Sequence, residues 1–126
     1  MILAFDPGKN IGVAHVSTTG QLLHHKIISF ETFQDYPIPK DMLVLIGRGT
    51  GAKRLTEVFT QRHISYELVD ETGTSLEARR LYFRDHPAKG FMRLLPESFR
   101  SPPELIDDYA AYAIALRYLK TTTARG

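Results

Sequence analysis

The chain has 126 residues, 43% of them hydrophobic, which is the size of one domain with a core of its own. It contains no cysteine, so a disulfide framework and a cysteine-ligated zinc site are excluded, and it has no run of about 18 apolar residues that would cross a bilayer. The formal net charge of +2 is too small to require a polyanionic partner, although the isoelectric point near 9.0 leans toward one.

Ile2 to Phe5 is predicted as the first strand, and its unbroken apolar run marks a strand covered on both faces. It ends on Asp6, followed at once by Pro7 and Gly8. A carboxylate at the end of a buried strand needs a partner, whether a backbone amide, a basic side chain or a cation. Ile11 to Val16 is the second predicted strand and Leu22 to Phe30 the third, and the glycine-containing turns between them predict an antiparallel meander. Residues 31–41, with Pro37 and Pro39, form a short connector with room for one helical turn. Met42 to Ile46 is again continuously apolar, the pattern of a central strand. "GRGTG" (Gly47 to Gly51) follows, and Lys53 to Arg62 carries Leu55, Val58 and Phe59 at helical spacing.

Ile64 to Asp70 is the fifth predicted strand. In "TGTSLEARRLYF" Thr74 and Glu77 fit a capping box, so a helix is predicted there. A loop with Gly and Pro runs from His86 to Ser101. The last helix is predicted to start at "SPPE", where Ser101, Pro102 and Glu104 make a start signal, and to reach about Lys120. Residues 1–120 are thus expected to be a single domain, with the polar end "TTTARG", residues 121–126, as a flexible tail. The first residues enter a strand with no basic leader before it, so the expectation is a soluble, cytoplasmic protein with no membrane partner.

A three-strand meander followed by alternating helices and strands predicts an α/β fold: a five-stranded mixed sheet with strands 4 and 5 parallel, flanked by helices. Ligands of such sheets bind beyond the carboxyl ends of the parallel strands. Asp6, the "GRGTG" loop with Arg48 and Thr50, and Asp70-Glu71 would all gather at that edge. Because Asp70 and Glu71 face opposite ways on a strand, Asp70 is expected to bond locally.

The last helix, "LIDDYAAYAIALRYL", is apolar or small almost all round and must be largely buried, yet Asp107 and Asp108 sit side by side near its start. Acidic residues there complement the helix dipole by ~0.3–1 kcal/mol each. The other reading is that Asp6, Glu71 and Asp107 converge on a divalent metal. Successive helix positions lie ~100° apart. Asp107, on the face of Ala110, Ala111 and Ile114, is therefore assigned as the primary ligand; Asp108, nearer Tyr112, Ala115 and Leu119, is a second ligand or a base that orients water.

Basic residues gather in Arg79, Arg80, Arg84, Lys89, Arg93 and Arg100, interleaved with Tyr82, Phe83, Phe91 and Phe99, a composition that suits phosphate-backbone contacts plus base stacking as well as a solvated helix face. Lys53 and Arg54 open a helix after a Gly loop, a place that suits amides and helix dipole holding a phosphate as well as a plain solvated N-terminal turn. Lys53, Arg79, Arg80, Lys89 and Arg93 are the candidate nucleic-acid contacts. His15, His24, His25, His63 and His86 have no metal-ligand spacing and are read as strand, surface or loop residues.

"ILAFDPGKNIGVA", "VDETGTSLEARR" and "IDDYAAYAIALRYL", in that order, resemble the first strand and hairpin, the Asp-Glu strand end and the last helix of the YqgF/RuvC-like resolvase group in the RNase H-like superfamily. Thr72 stands where an Arg is expected after Asp-Glu, and the connector of residues 31–41 is shorter than the usual crossover helix. Ala110 stands where RuvC itself has a second helix Asp, which moves the match toward the YqgF branch and leaves Asp108 as a substitute ligand. The resemblance implies an RNase H-like fold, a metal site of Asp6, Glu71 and Asp107, and a metal-dependent nuclease acting on ribosomal RNA precursors or on Holliday-junction-type branched DNA, as a monomer or homodimer. All-oxygen donors suit Mg2+ or Mn2+, and two such ions ~3.5–4 Å apart can activate water and stabilise the leaving oxygen. Two other classes stay open: a nucleic-acid-binding module with this fold and little activity, and an actin-like phosphotransferase lobe.

Overall fold

In the structure, a computed structural model, residues 1–70, 74–85 and 106–125 are described. Their elements in chain order are β1 (Ile2–Asp6), β2 (Ile11–Val16), β3 (Leu22–Ile28), α1 (Phe30–Gln34), β4 (Leu43–Gly47), α2 (Ala52–Gln61), β5 (Glu67–Val69), α3 (Thr74–Asp85) and α4 (Asp107–Arg125). The strands form one mixed sheet in the order β3-β2-β1-β4-β5, antiparallel from β1 through β3 and parallel across β1, β4 and β5. The carboxyl ends of β1, β4 and β5 thus share an edge.

Alternation along β1 divides the core into two layers. Ile2 and Ala4 pack with Ala14, Val16 and Leu45 against Ala111, Tyr112, Ile114 and Ala115 of α4 and Ala78 of α3. Leu3 and Phe5 face the other way, with Ile11, Val13, Val44 and Ile46, against Phe33 of α1 and Leu55 and Phe59 of α2. The two layers are filled differently. Beneath α1 and α2 the rings of Phe5, Phe33 and Phe59 meet with centroids 5.0–5.5 Å apart, whereas beneath α4 alanines of both helix and sheet bring the backbones together.

Several boundaries differ from the sequence expectation, each for a local reason. β3 stops at Ile28 because Ser29 turns to cap α1, its hydroxyl accepting from the Thr32 amide at 3.1 Å. β5 is only three residues long. The residues before it are engaged in closing α2: the amide of His63 donates to Thr60 and that of Ile64 to Phe59. The last helix begins at Asp107 and not at Ser101: Ile106 lies outside it and its carbonyl takes the first helical bond, from Ala110 at 3.0 Å. Residues 101–105 lie outside the described residues. At its other end α4 continues to Arg125, through most of the segment expected to be a tail. Glu77 accepts from Arg117 of α4 at 3.0 Å. No helix among the described residues is long and apolar enough to cross a membrane.

His63 closes α2 with φ 59°, a left-handed conformation normally given to glycine. An L side chain costs about 1–2 kcal/mol there. His63→Gly is therefore expected to stabilise the protein by about 1 kcal/mol, read from the midpoint of urea unfolding.

Candidate functional site

Asp6 follows Ile2 and Ala4 on the α4 face of β1, half-buried at the strand's carboxyl end. Its register partner on β2 is Gly12, on the same face. Gly12 is where α4 comes down: a methyl group there would run into the Asp107 carbonyl and stand 2.8 Å from the Asp108 nitrogen. Only glycine leaves room for the helix backbone. The first residues of α4 are thereby seated beside the end of β1, 101 residues away along the chain from Asp6.

Asp107 is half-buried, and its carboxyl is held above the usual carboxylate range, first by burial and then by the neighbouring Asp108 charge. Asp108 turns toward β3. Its Oδ2 lies 2.6 Å from Nδ1 of His25, and its Oδ1 accepts from the Tyr109 amide at 2.9 Å. Two adjacent acids at the very start of α4 both lie where the helix dipole favours negative charge. They are nevertheless unlike: one sits over β2 at the sheet edge and the other is bonded to a histidine.

On the far side of the edge, β4 ends at Gly47 beside Val69, and the Arg48 amide donates to the Val69 carbonyl at 2.9 Å. The backbone carbonyl of Asp70 accepts from Arg117 of α4 at 3.1 Å. Glu71, the third expected metal ligand, lies outside the described residues, as do Lys89 and Arg93. Among the described residues, no three His, Asp or Glu side chains come together as a metal-binding group. Asp6 and the start of α4 do share one place, and as hard oxygen donors Asp6 and Asp107 fit Mg2+ or Mn2+ better than a softer ion.

Behind the turn after β1, an open cleft is lined by Pro7, Gly8, Lys9, Thr50, Gly51 and Arg54. Gly51, at φ 93°, opens α2 and leads directly into the helix. Arg54 is occupied in holding this cleft together: it donates to the Gly8 carbonyl at 2.7 Å, with its guanidinium 4.5 Å from the centre of the Phe30 ring. Lys53, one position earlier, is exposed, as is Arg80 on α3, whereas Arg79 is half-buried with its Nε shielded from solvent. Of the candidate nucleic-acid contacts, Lys53 and Arg80 thus present free cationic ends to solvent.

Sequence reasoning passed over His25. Nothing in its local pattern, "LLHHKII", separates it from His24. Only the register, which sets His25 opposite Ala14 on the α4 face and His24 opposite His15 on the other, shows that it reaches the start of α4. His15, on the α1 face, bonds Tyr36 at 3.2 Å, and burial, followed by His24 and Lys26, lowers its pKa.

No protein-family model matches this chain, and no curated protein sequence matches it significantly.

Two measurements test the geometry. Gly12→Ala is expected to cost about 1–3 kcal/mol of stability, because an overpacked contact against helix backbone has nowhere to relax; an unchanged unfolding midpoint would show that α4 does not sit on Gly12. Asp107 holds its proton more tightly folded than unfolded, so stability contributed by the protonated form declines as pH rises from the ordinary carboxylate pKa through the raised one. Asp107→Asn should therefore raise the metal-free Tm at neutral pH and flatten that acid-range decline.

Proposed function

We propose that this protein is a metal-dependent nuclease with an RNase H-like fold, hydrolysing phosphodiester bonds in structured RNA or branched DNA. The observation that carries the reading is the seating of Asp107 beside Asp6 through Gly12, which brings together two acids that the motif resemblance assigns to one metal site. The strand arrangement supports it, since an antiparallel meander followed by two parallel strands is what that resemblance implies. Asp6, Asp107 and Glu71 would hold Mg2+ or Mn2+. The bound ions would supply a water made nucleophilic at neutral pH and neutralise charge on the leaving oxygen. The chain's own part is to fix the carboxylates from β1 and α4 at one sheet edge, with Lys53 and Arg80 free to meet phosphates. Without metal, burial and Asp108 disfavour ionised Asp107, so a cation would relieve the cost of that charge.

The test is cleavage of a four-way DNA junction, duplex DNA, single-stranded RNA and precursor ribosomal RNA in Mg2+ and in Mn2+, by wild type and by Asp6→Asn. Cleavage of at least one substrate should require the metal and fall about a hundredfold or more in the variant, since losing a metal ligand forfeits several kcal/mol of charge stabilisation. Binding to nucleic acid without cleavage would assign the chain to the binding-module class. Equal cleavage by a folded Asp6→Asn protein would overturn the site.

A further inference from the structure

The carboxylate of Asp108 is only 14% exposed, and both of its oxygens are engaged, one by His25 and one by the Tyr109 amide. An ionised carboxylate only accepts hydrogen bonds, so at 2.6 Å the Nδ1 of His25 must carry the proton and donate it. The His25 ring also packs on Tyr109, centroids 5.3 Å apart, and the Tyr109 hydroxyl donates to Asp85 of α3 at 3.1 Å. One β3 side chain therefore grips two consecutive residues in the first turn of α4. Immediately before them, Asp107 rests over Gly12. His25 stands opposite Ala14, two residues along β2 from Gly12, so the grip and the close contact lie side by side on the same sheet face.

We infer that His25 is a positioning residue: by holding Asp108 toward β3 it anchors the first turn of α4 to the sheet and fixes Asp107 at the edge beside Asp6. Asp108 is then the anchor of the helix and Asp107 its ligand. The two acids divide the work because successive side chains on a helix point ~100° apart, so with Asp108 held at β3 the Asp107 carboxylate is directed elsewhere from a backbone that rests on Gly12 of β2. Partners that orient a ligand without touching the metal typically change metal affinity 10–100-fold when removed. The anchor rests on geometry alone; its consequence for metal binding rests on the nuclease reading.

The experiment compares wild type with His25→Ala and His25→Asn, since an Asn side-chain amide can place a donor near the position of Nδ1 while removing the rest of the ring. Hydrogen exchange of the Ala110, Ala111 and Tyr112 amides reads the anchor, and Mn2+ binding, followed by loss of the free-ion electron paramagnetic resonance signal, reads its consequence. The expected result is about tenfold faster exchange and about tenfold weaker Mn2+ binding in His25→Ala, with His25→Asn returning both to within about twofold of wild type. Exchange in His25→Ala equal to wild type, or accelerated exchange that His25→Asn does not restore, overturns the anchor whatever the metal does. Restored exchange with Mn2+ affinity equal in all three proteins overturns the positioning role. If wild type itself binds no Mn2+ while exchange follows the expected pattern, the nuclease reading falls and the anchor stands.

Discussion

The close passage of α4 over β2 at Gly12 is the contact on which the rest of this architecture depends. A helix carrying side chains of ordinary size on its sheet-facing side is held off the strands by them. Here a residue with no side chain on β2 meets helix backbone directly, and the alanines on both surfaces extend the close approach along the helix. Burial alone would bring α4 to the sheet in many registers. The absence of one methyl group selects the register in which two acids from opposite ends of the chain become neighbours.

The electrostatics of that place are unfavourable by construction. Asp107 and Asp108 are consecutive, and the first is made harder to ionise by its burial and by the second. The positive end of α4 and the His25 donor offset part of this cost. What remains is a local excess of negative charge at the end of the sheet, where the Asp107 carboxyl is held above the usual carboxylate range. Arg117, bridging the Asp70 carbonyl and Glu77, ties β5, α3 and α4 together on the opposite flank.

Much of the frame was legible in the residues. Continuous apolar runs announced β1 and β4, glycine turns announced the meander, and the i, i+3, i+4 spacing of Leu55, Val58 and Phe59 announced α2. Local signals failed where a second element competed for the same residues. Ile64, apolar and β-branched, is used to close α2 instead of extending β5. The closeness of Asp6 and the start of α4 was suggested by the sequence, because each acid sits at the end of an apolar element, where a charge is conspicuous. The role of His25 was not, because it depends on pairing across 83 positions of chain and on which face of β3 the register presents.

The unequal filling of the two layers has a consequence for how such a chain can change over generations. Large aromatic rings under α1 and α2 fill space by mutual adjustment, so a substitution in one ring can be absorbed by its neighbours and the layer can drift in composition. At Gly12 there is no such slack, since a single added methyl meets helix backbone, and Ala4, Ala14, Ala111 and Ala115 of the same layer have little side chain with which to give way. Tolerance is thus distributed by position: the aromatic layer can vary by mutual adjustment, while on the face bearing the acids Gly12 and the alanines are held small beside larger neighbours such as Ile2, Leu45 and Tyr112.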